Sequence, residues 1–162
     1  MLNAKVEKLL NEQVSKELYS AYLYLGFANY FEEQGLSGFA SWYSVQAKEE
    51  VEHGMKMREY LFDNGAAVEL EALAKPETSF KGVLEVLEAG LKHEEYVTSL
   101  INKIYDAAWE AKEYKTMQFL DWFVKEQVEE EKNAHELIHK FKILGDNKKD
   151  LYLLDNELKG RK

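Results

Sequence analysis

From Asn3 to Leu144, apolar residues recur three and four positions apart in four long runs, and Pro76 is the chain's single proline. That period lays the apolar side chains of each run along one stripe of a helix. The first stripe carries Glu17, Ala21, Tyr24, Ala28 and Phe31. The second carries Phe39, Trp42 or Tyr43, Gln46, Glu50, His53, Met57 and Tyr60. The third runs from Phe80 and Val83 through Leu87, Gly90, Glu94, Val97, Ile101 and Ile104 to Ala108. The fourth holds Leu120, Phe123, Gln127, Glu130, Ala134, Leu137, Phe141 and Leu144. Strand alternation, internal repeats and low-complexity segments are absent from the sequence, so the fold class is all-α.

Punctuation residues set the expected boundaries. The first helix spans about 3–33 and ends near Gly35; the second spans about 37–64, with Gly65 as its stop. The third starts after Pro76, with Thr78 or Ser79 as N-cap, and reaches about Ala111; the fourth runs from Tyr114 to Leu144 and stops at Gly145. Short joins make the first and second helices, and the third and fourth, antiparallel neighbours. The stretch from Gly65 to Thr78 can extend to roughly 45 Å, and the second helix is roughly 40 Å long. It can therefore cross the whole bundle and leave helices two and three parallel. The expectation is one domain over 1–162: a four-helix bundle over about 3–145 with one long crossover, then a short C-terminal helix over about 147–159.

Composition removes several function classes. A net charge of -9 argues against nucleic acid as a partner, since phosphate binding needs a basic patch. Without cysteine the chain has no disulfide, iron–sulfur cluster, thiolate zinc site or cysteine nucleophile. Any metal must be held by oxygen and imidazole. The opening MLNAKVEKLL lacks a signal-peptide pattern and no apolar run approaches spanning length, so a cytoplasmic protein with no membrane contact is expected.

The stripes are apolar except near their middles, where Glu17, Glu50, Glu94 and Glu130 stand. Mid-helix positions share a level whichever way the helices run. Packing the stripes together therefore gathers four carboxylates with His53 and Gln127. Taken alone, Glu17 reads equally well as a rotated helix or as a buried carboxylate with a hydrogen-bond partner. Four interruptions at matching depth need a common cause. Burying unpaired charges is costly, and two divalent cations neutralise four carboxylates. The donor set suits iron or manganese, and also zinc.

At these residues the chain resembles the ferritins, specifically the bacterial and archaeal non-haem type, from about Asn3 to Leu158. The resemblance implies a ferritin-like bundle that oxidises ferrous iron with dioxygen or peroxide and stores ferric mineral in a hollow homo-oligomer of twenty-four subunits. It implies that Glu17, Glu50 and His53 hold one iron, and that Glu50 bridges to a second held by Glu94 and Glu130, with Gln127 close by. It also implies a third site from Glu49, Glu126 and Glu129, sharing Glu130. Without it, KEQVEEEK reads as a solvated charged face. Tyr24 and Trp122 match aromatics beside the centre, and Tyr24 reads equally as a core residue bonded to a ligand. Bacterioferritins carry a second Glu-x-x-His where this chain has Gln127-x-x-Glu130. Val51 and Glu52 stand where a haem-binding methionine would be looked for, so no haem is expected.

A competing motif is HELIH, His135 to His139, which fits the zinc-protease pattern H-E-x-x-H. At about 100° per residue, both histidines point away from the face set by Glu130, Ala134, Leu137 and Phe141, and Glu157 is the only candidate third ligand nearby. In the C-terminal KKDLYLLDNELK, Leu151, Leu154 and Leu158 form one apolar face. Twelve residues do not hold a helix alone in water, so this face needs a partner. It either folds back on its own bundle or, as the resemblance implies, packs against symmetry mates.

Overall fold

The computed structural model describes residues 1–145 and 147–162. Five helices follow one another: α1 (Ala4–Glu33), α2 (Ser37–Asp63), α3 (Val83–Glu110), α4 (Tyr114–Leu144) and α5 (Lys148–Leu158). Among the described residues there is no strand. Asn3 caps α1 by accepting from the Lys5 amide at 3.0 Å. Gly35 and Gly65 end α1 and α2 with φ of +74° and +73°, a conformation in which a Cβ is strained. Lys112 takes the same left-handed conformation, φ 56°, in the join from α3 to α4.

α1 packs on α2, and α3 on α4. Phe39 at the start of α2 stacks on Phe31 with ring centroids 4.8 Å apart, and Phe80 just before α3 packs on Phe27 and Tyr30 at 5.4 and 5.5 Å. Both helices thus begin beside the end of α1 and run parallel. The crossover is fastened along α1. Asn11 donates to the Ala67 carbonyl (2.8 Å) and accepts from the Glu69 amide (3.0 Å). Ser15 accepts from the Glu71 amide (3.0 Å), and Pro76 lies over Gly26.

Two features differ from the sequence reading. α3 starts at Val83, later than a cap at Thr78 or Ser79 would place it. The Glu77 carboxylate accepts from the amides of both Thr78 and Ser79, at 2.8 and 2.7 Å, so that segment is satisfied as a turn. Glu85 reaches back to accept from the Lys81 amide, just ahead of the helix.

The second difference concerns α5. Its apolar face is covered by the chain's own α2 and α4, with Leu154 and Leu158 buried, so the fold-back alternative holds for these leucines. Tyr152 and Leu153 are the apolar residues α5 leaves exposed. Docking is specific. Leu36 gives α2 no side-chain cap, and the buried Asp155 supplies one by accepting from the Phe39 amide at 2.9 Å. Gly38 lets α5 come this close, because a Cβ there would lie 1.7 Å from the Asp155 carbonyl oxygen.

The apolar interior forms two blocks. One gathers around Phe27, Phe31, Phe39, Leu87 and Phe141 beneath α5. The other gathers around Leu10, Met57, Leu61, Ile101, Ile104 and Leu120. Between them lies a polar layer.

Candidate metal centre

That layer is built by all four long helices. Glu17 comes from α1, Glu50 and His53 from α2, Glu94 from α3, and Gln127 and Glu130 from α4. The four carboxylates are between 1% and 4% exposed, which settles that the stripes face one another at this level. Gly54 on α2 presents only a hydrogen toward α1, where a Cβ would come within 3.4 Å of Glu17 Cβ.

Among the described residues, three groups of side chains each bring three ligand atoms within 4.8 Å of one another: Glu17, Glu50 and His53; Glu50, Glu94 and Glu130; and His53, Glu126 and Glu130. Glu50 belongs to the first two, Glu130 to the last two, and His53 to the outer pair. The geometry therefore offers adjacent positions that share ligands. His53 Nδ1 lies 3.4 Å from Glu50 Oε2, and Nε2 lies 3.8 Å from Glu126 Oε1.

Hydrogen bonds aim the carboxylates. Gln13 Nε2 donates to Glu17 Oε1 at 2.8 Å. Gln46 Nε2 donates to Glu50 Oε1 at 3.1 Å and to Glu130 Oε2 at 2.7 Å. The Tyr24 hydroxyl donates to Glu94 Oε1, while Gln127 Nε2 donates to Glu94 Oε2 at 3.1 Å. Glu17 Oε2 is buried with no protein partner. Buried acceptors are nearly always satisfied, so this atom points to a ligand that the protein itself does not supply.

The electrostatics agree. Burial raises the carboxyls of Glu17 and Glu50 well above the usual range; the Glu50 charge adds to the effect on Glu17, and Glu94 and Glu130 add to that on Glu50. Burial also raises Glu94, and with the Glu94 charge lifts Glu130 to about 8. Burial and then the Glu94 charge raise the Tyr24 hydroxyl, which stays protonated as a donor. Without cations the layer holds protons; with cations it holds charge. Oxygen and imidazole donors in this number fit two divalent first-row ions.

The remaining expected residues are placed differently. Glu126 joins the His53 and Glu130 group, whereas Glu129 is exposed. Glu49 turns its carboxylate to Arg161 at 2.7 Å and belongs to none of the three groups. Trp122 stands edge-on to His53, centroids 5.3 Å apart, with Lys56 Nζ 3.7 Å above its ring. His135 and His139 are exposed, and no metal-competent group among the described residues includes them. Glu157 accepts from Lys140 instead, at 3.1 Å.

Sequence reasoning missed three supports of the centre. Gln13 and Gln46 each stand four residues before a carboxylate they orient, a spacing that brings helical side chains together. His93, which burial pulls down to about 4, bonds to Ser20 Oγ at 2.7 Å and packs edge-on to Tyr24 at 5.8 Å.

Known proteins give this arrangement its place. The family model for the Ferritin-like domain matches residues 7–144. The bacterial non-heme ferritin of Campylobacter jejuni is 38% identical over 159 residues, covering 98% of this chain and 95% of that protein. The bacterial non-heme ferritin of Staphylococcus saprophyticus is 39% identical over 161 residues, covering 99% and 96%. Among solved structures, the open pore ferritin from the hyperthermophilic archaeon Archaeoglobus fulgidus superposes with a TM-score of 0.98 at 39% identity, covering 100% of both chains. Helix order, crossover, fifth helix and buried carboxylate layer thus coincide with a full-length match, and the chain belongs to the ferritin family, in its prokaryotic non-haem branch.

Proposed function

We propose that the protein is a ferroxidase that stores iron. The observation that carries this reading is the sharing of Glu50 between two metal-competent groups, an arrangement that would let two cations sit side by side at one carboxylate. Glu17, Glu50 and His53 bind one ferrous ion; Glu50, Glu94 and Glu130 bind the other, with Gln127 and Tyr24 orienting Glu94. Two ferrous ions supply two electrons, enough to reduce dioxygen to peroxide or peroxide to water. Carboxylates stabilise the ferric product better than the ferrous substrate, because hard oxygen donors favour the higher charge. Glu126 with His53 and Glu130 provides a third and weaker position, with Glu49 lining the same groove.

Storage follows from assembly. Closed symmetry is the usual outcome for soluble homo-oligomers, and the relatives' names supply the precedent of a ferritin. We take the working form to be a cytoplasmic shell of twenty-four copies with mineral inside.

The test is anaerobic ferrous titration followed by stopped-flow oxidation. The native protein should oxidise two ferrous ions per chain in a fast phase. Glu50→Ala with His53→Ala should slow that phase by at least about a hundredfold, as loss of metal-site groups does, while circular dichroism stays native. An unchanged initial rate refutes the assignment. Light scattering that finds a monomer or dimer, with no electron-dense core after iron loading, refutes storage.

A further inference from the structure

The chain's C-terminal end reaches the centre. Asp155 and the buried Leu154 and Leu158 fix α5 on α2, and the Arg161 amide then bonds to the Leu158 carbonyl at 3.3 Å, turning the tail back along α2. The Arg161 guanidinium lies 4.2 Å from the centroid of the Trp42 ring. Its Nη1 donates to the Trp42 carbonyl at 3.2 Å. Its Nη2 donates to Gln46 Oε1 at 2.8 Å and to Glu49 Oε2 at 2.7 Å. The side chain is 13% exposed, so this is a held position and not a surface encounter.

Two consequences follow from the chemistry of the guanidinium, which has donors and no acceptor. It can meet only the oxygen end of the Gln46 amide, so Gln46 Nε2 must face inward, where it donates to both Glu50 and Glu130. It also places a fixed positive charge on Glu49, the carboxylate that shares a groove with His53 and Glu126. A metal ion approaching Glu49 in that groove meets a cation already there.

We propose that Arg161 is a resident cation that holds Glu49 in place of metal, so that the third metal position fills only after the first two and only when this latch lets go. The proposal rests on the metal-centre reading given above. Arg161 acts through Glu49 and Gln46 and is a positioning residue.

Calorimetric titration of the metal-free assembly with zinc tests it. The native protein should bind two equivalents per chain and then a third more weakly. Arg161→Ala should tighten the third equivalent by up to about fivefold, the upper factor for a partly exposed ion pair. Arg161→Lys keeps a charge beside Glu49 and should leave the third equivalent weak. Glu49→Gln should remove that equivalent in both backgrounds. If Glu49→Gln removes it and Arg161→Ala leaves its affinity unchanged, the latch is wrong and the metal site stands. If Glu49→Gln leaves the third equivalent in place, the third position itself is wrongly assigned and the latch falls with it. If no equivalents bind at all, the metal-centre reading fails.

Discussion

Removing metal should make this protein lose stability as pH rises, and Glu130 sets the scale. Its carboxyl moves from an ordinary value of 4.5 to about 8 in the fold, through burial and the Glu94 charge. In that window the folded chain keeps a proton that the unfolded chain releases, so stability is full below pH 4.5 and is lost as pH rises through 8. The shift of about 3.5 units corresponds to about 5 kcal/mol at 1.36 kcal/mol per unit. For a chain of this length that is roughly 10–20 °C in melting temperature. The assay is thermal melting in chelator at pH 5, 6.5 and 8, at one protein concentration because assembly also contributes. Glu130→Gln keeps the shape and removes the charge, so it should flatten the decline and melt higher than the native protein at pH 8. Adding divalent metal at pH 8 should restore the native protein and help the variant less. A native melting temperature that is flat or rising from pH 5 to 8 refutes the reasoning. So does a variant that melts no higher at pH 8, since the acidic surface alone would then explain the slope.

Three further outcomes are expected. Asp155→Ala should cost about 2 kcal/mol, the upper range for loss of a helix cap, and expose the α5 segment to limited proteolysis; Gly38→Ala should free α5 in the same assay, because its Cβ meets the Asp155 backbone. Lys112→Gly should stabilise by about 0.5–1 kcal/mol in chemical denaturation, since glycine relieves the left-handed strain at φ 56°. His135→Ala with His139→Ala should leave the ferrous oxidation rate unchanged in the stopped-flow assay, both side chains being exposed.

The polar layer sits where stability can be withheld without loss of the fold. Apolar blocks lie on either side of it, one under α5 and one around Ile101 and Leu120. Between them, Glu17 Oε2 is left without a protein partner and four carboxyls are pushed up by burial. A substrate cation relieves this local conflict, and a protein relaxed without it would bind it less tightly. Among the described residues Glu17 Oε2 is the one buried side-chain polar atom with no protein partner, and it lies in this layer, which is where function is expected to break the rules of packing.

Bundle and carboxylates were legible because both are written in helical periodicity. A glutamate in an apolar stripe shows in any one helix, and equal depth in four helices shows without knowing the packing. Gln13 and Gln46 were legible in principle, four residues ahead of Glu17 and Glu50. The start of α3 was misread because Thr78 and Ser79 look like caps, while Glu77 takes their amides for a turn. The seat of α5 was left open because an apolar face names no partner. What decides it is Asp155 bonding to Phe39 across 116 positions, allowed by a bare Gly38. Arg161 was invisible for the same reason. In sequence it is one cation in an exposed-looking tail; only the docking of α5 carries it 112 positions back to Glu49. Local spacing thus places the ligands, and long-range polar pairs decide which of them are free to bind. Glu49 and Glu50 adjoin in sequence, yet one is held by a guanidinium and the other faces the centre.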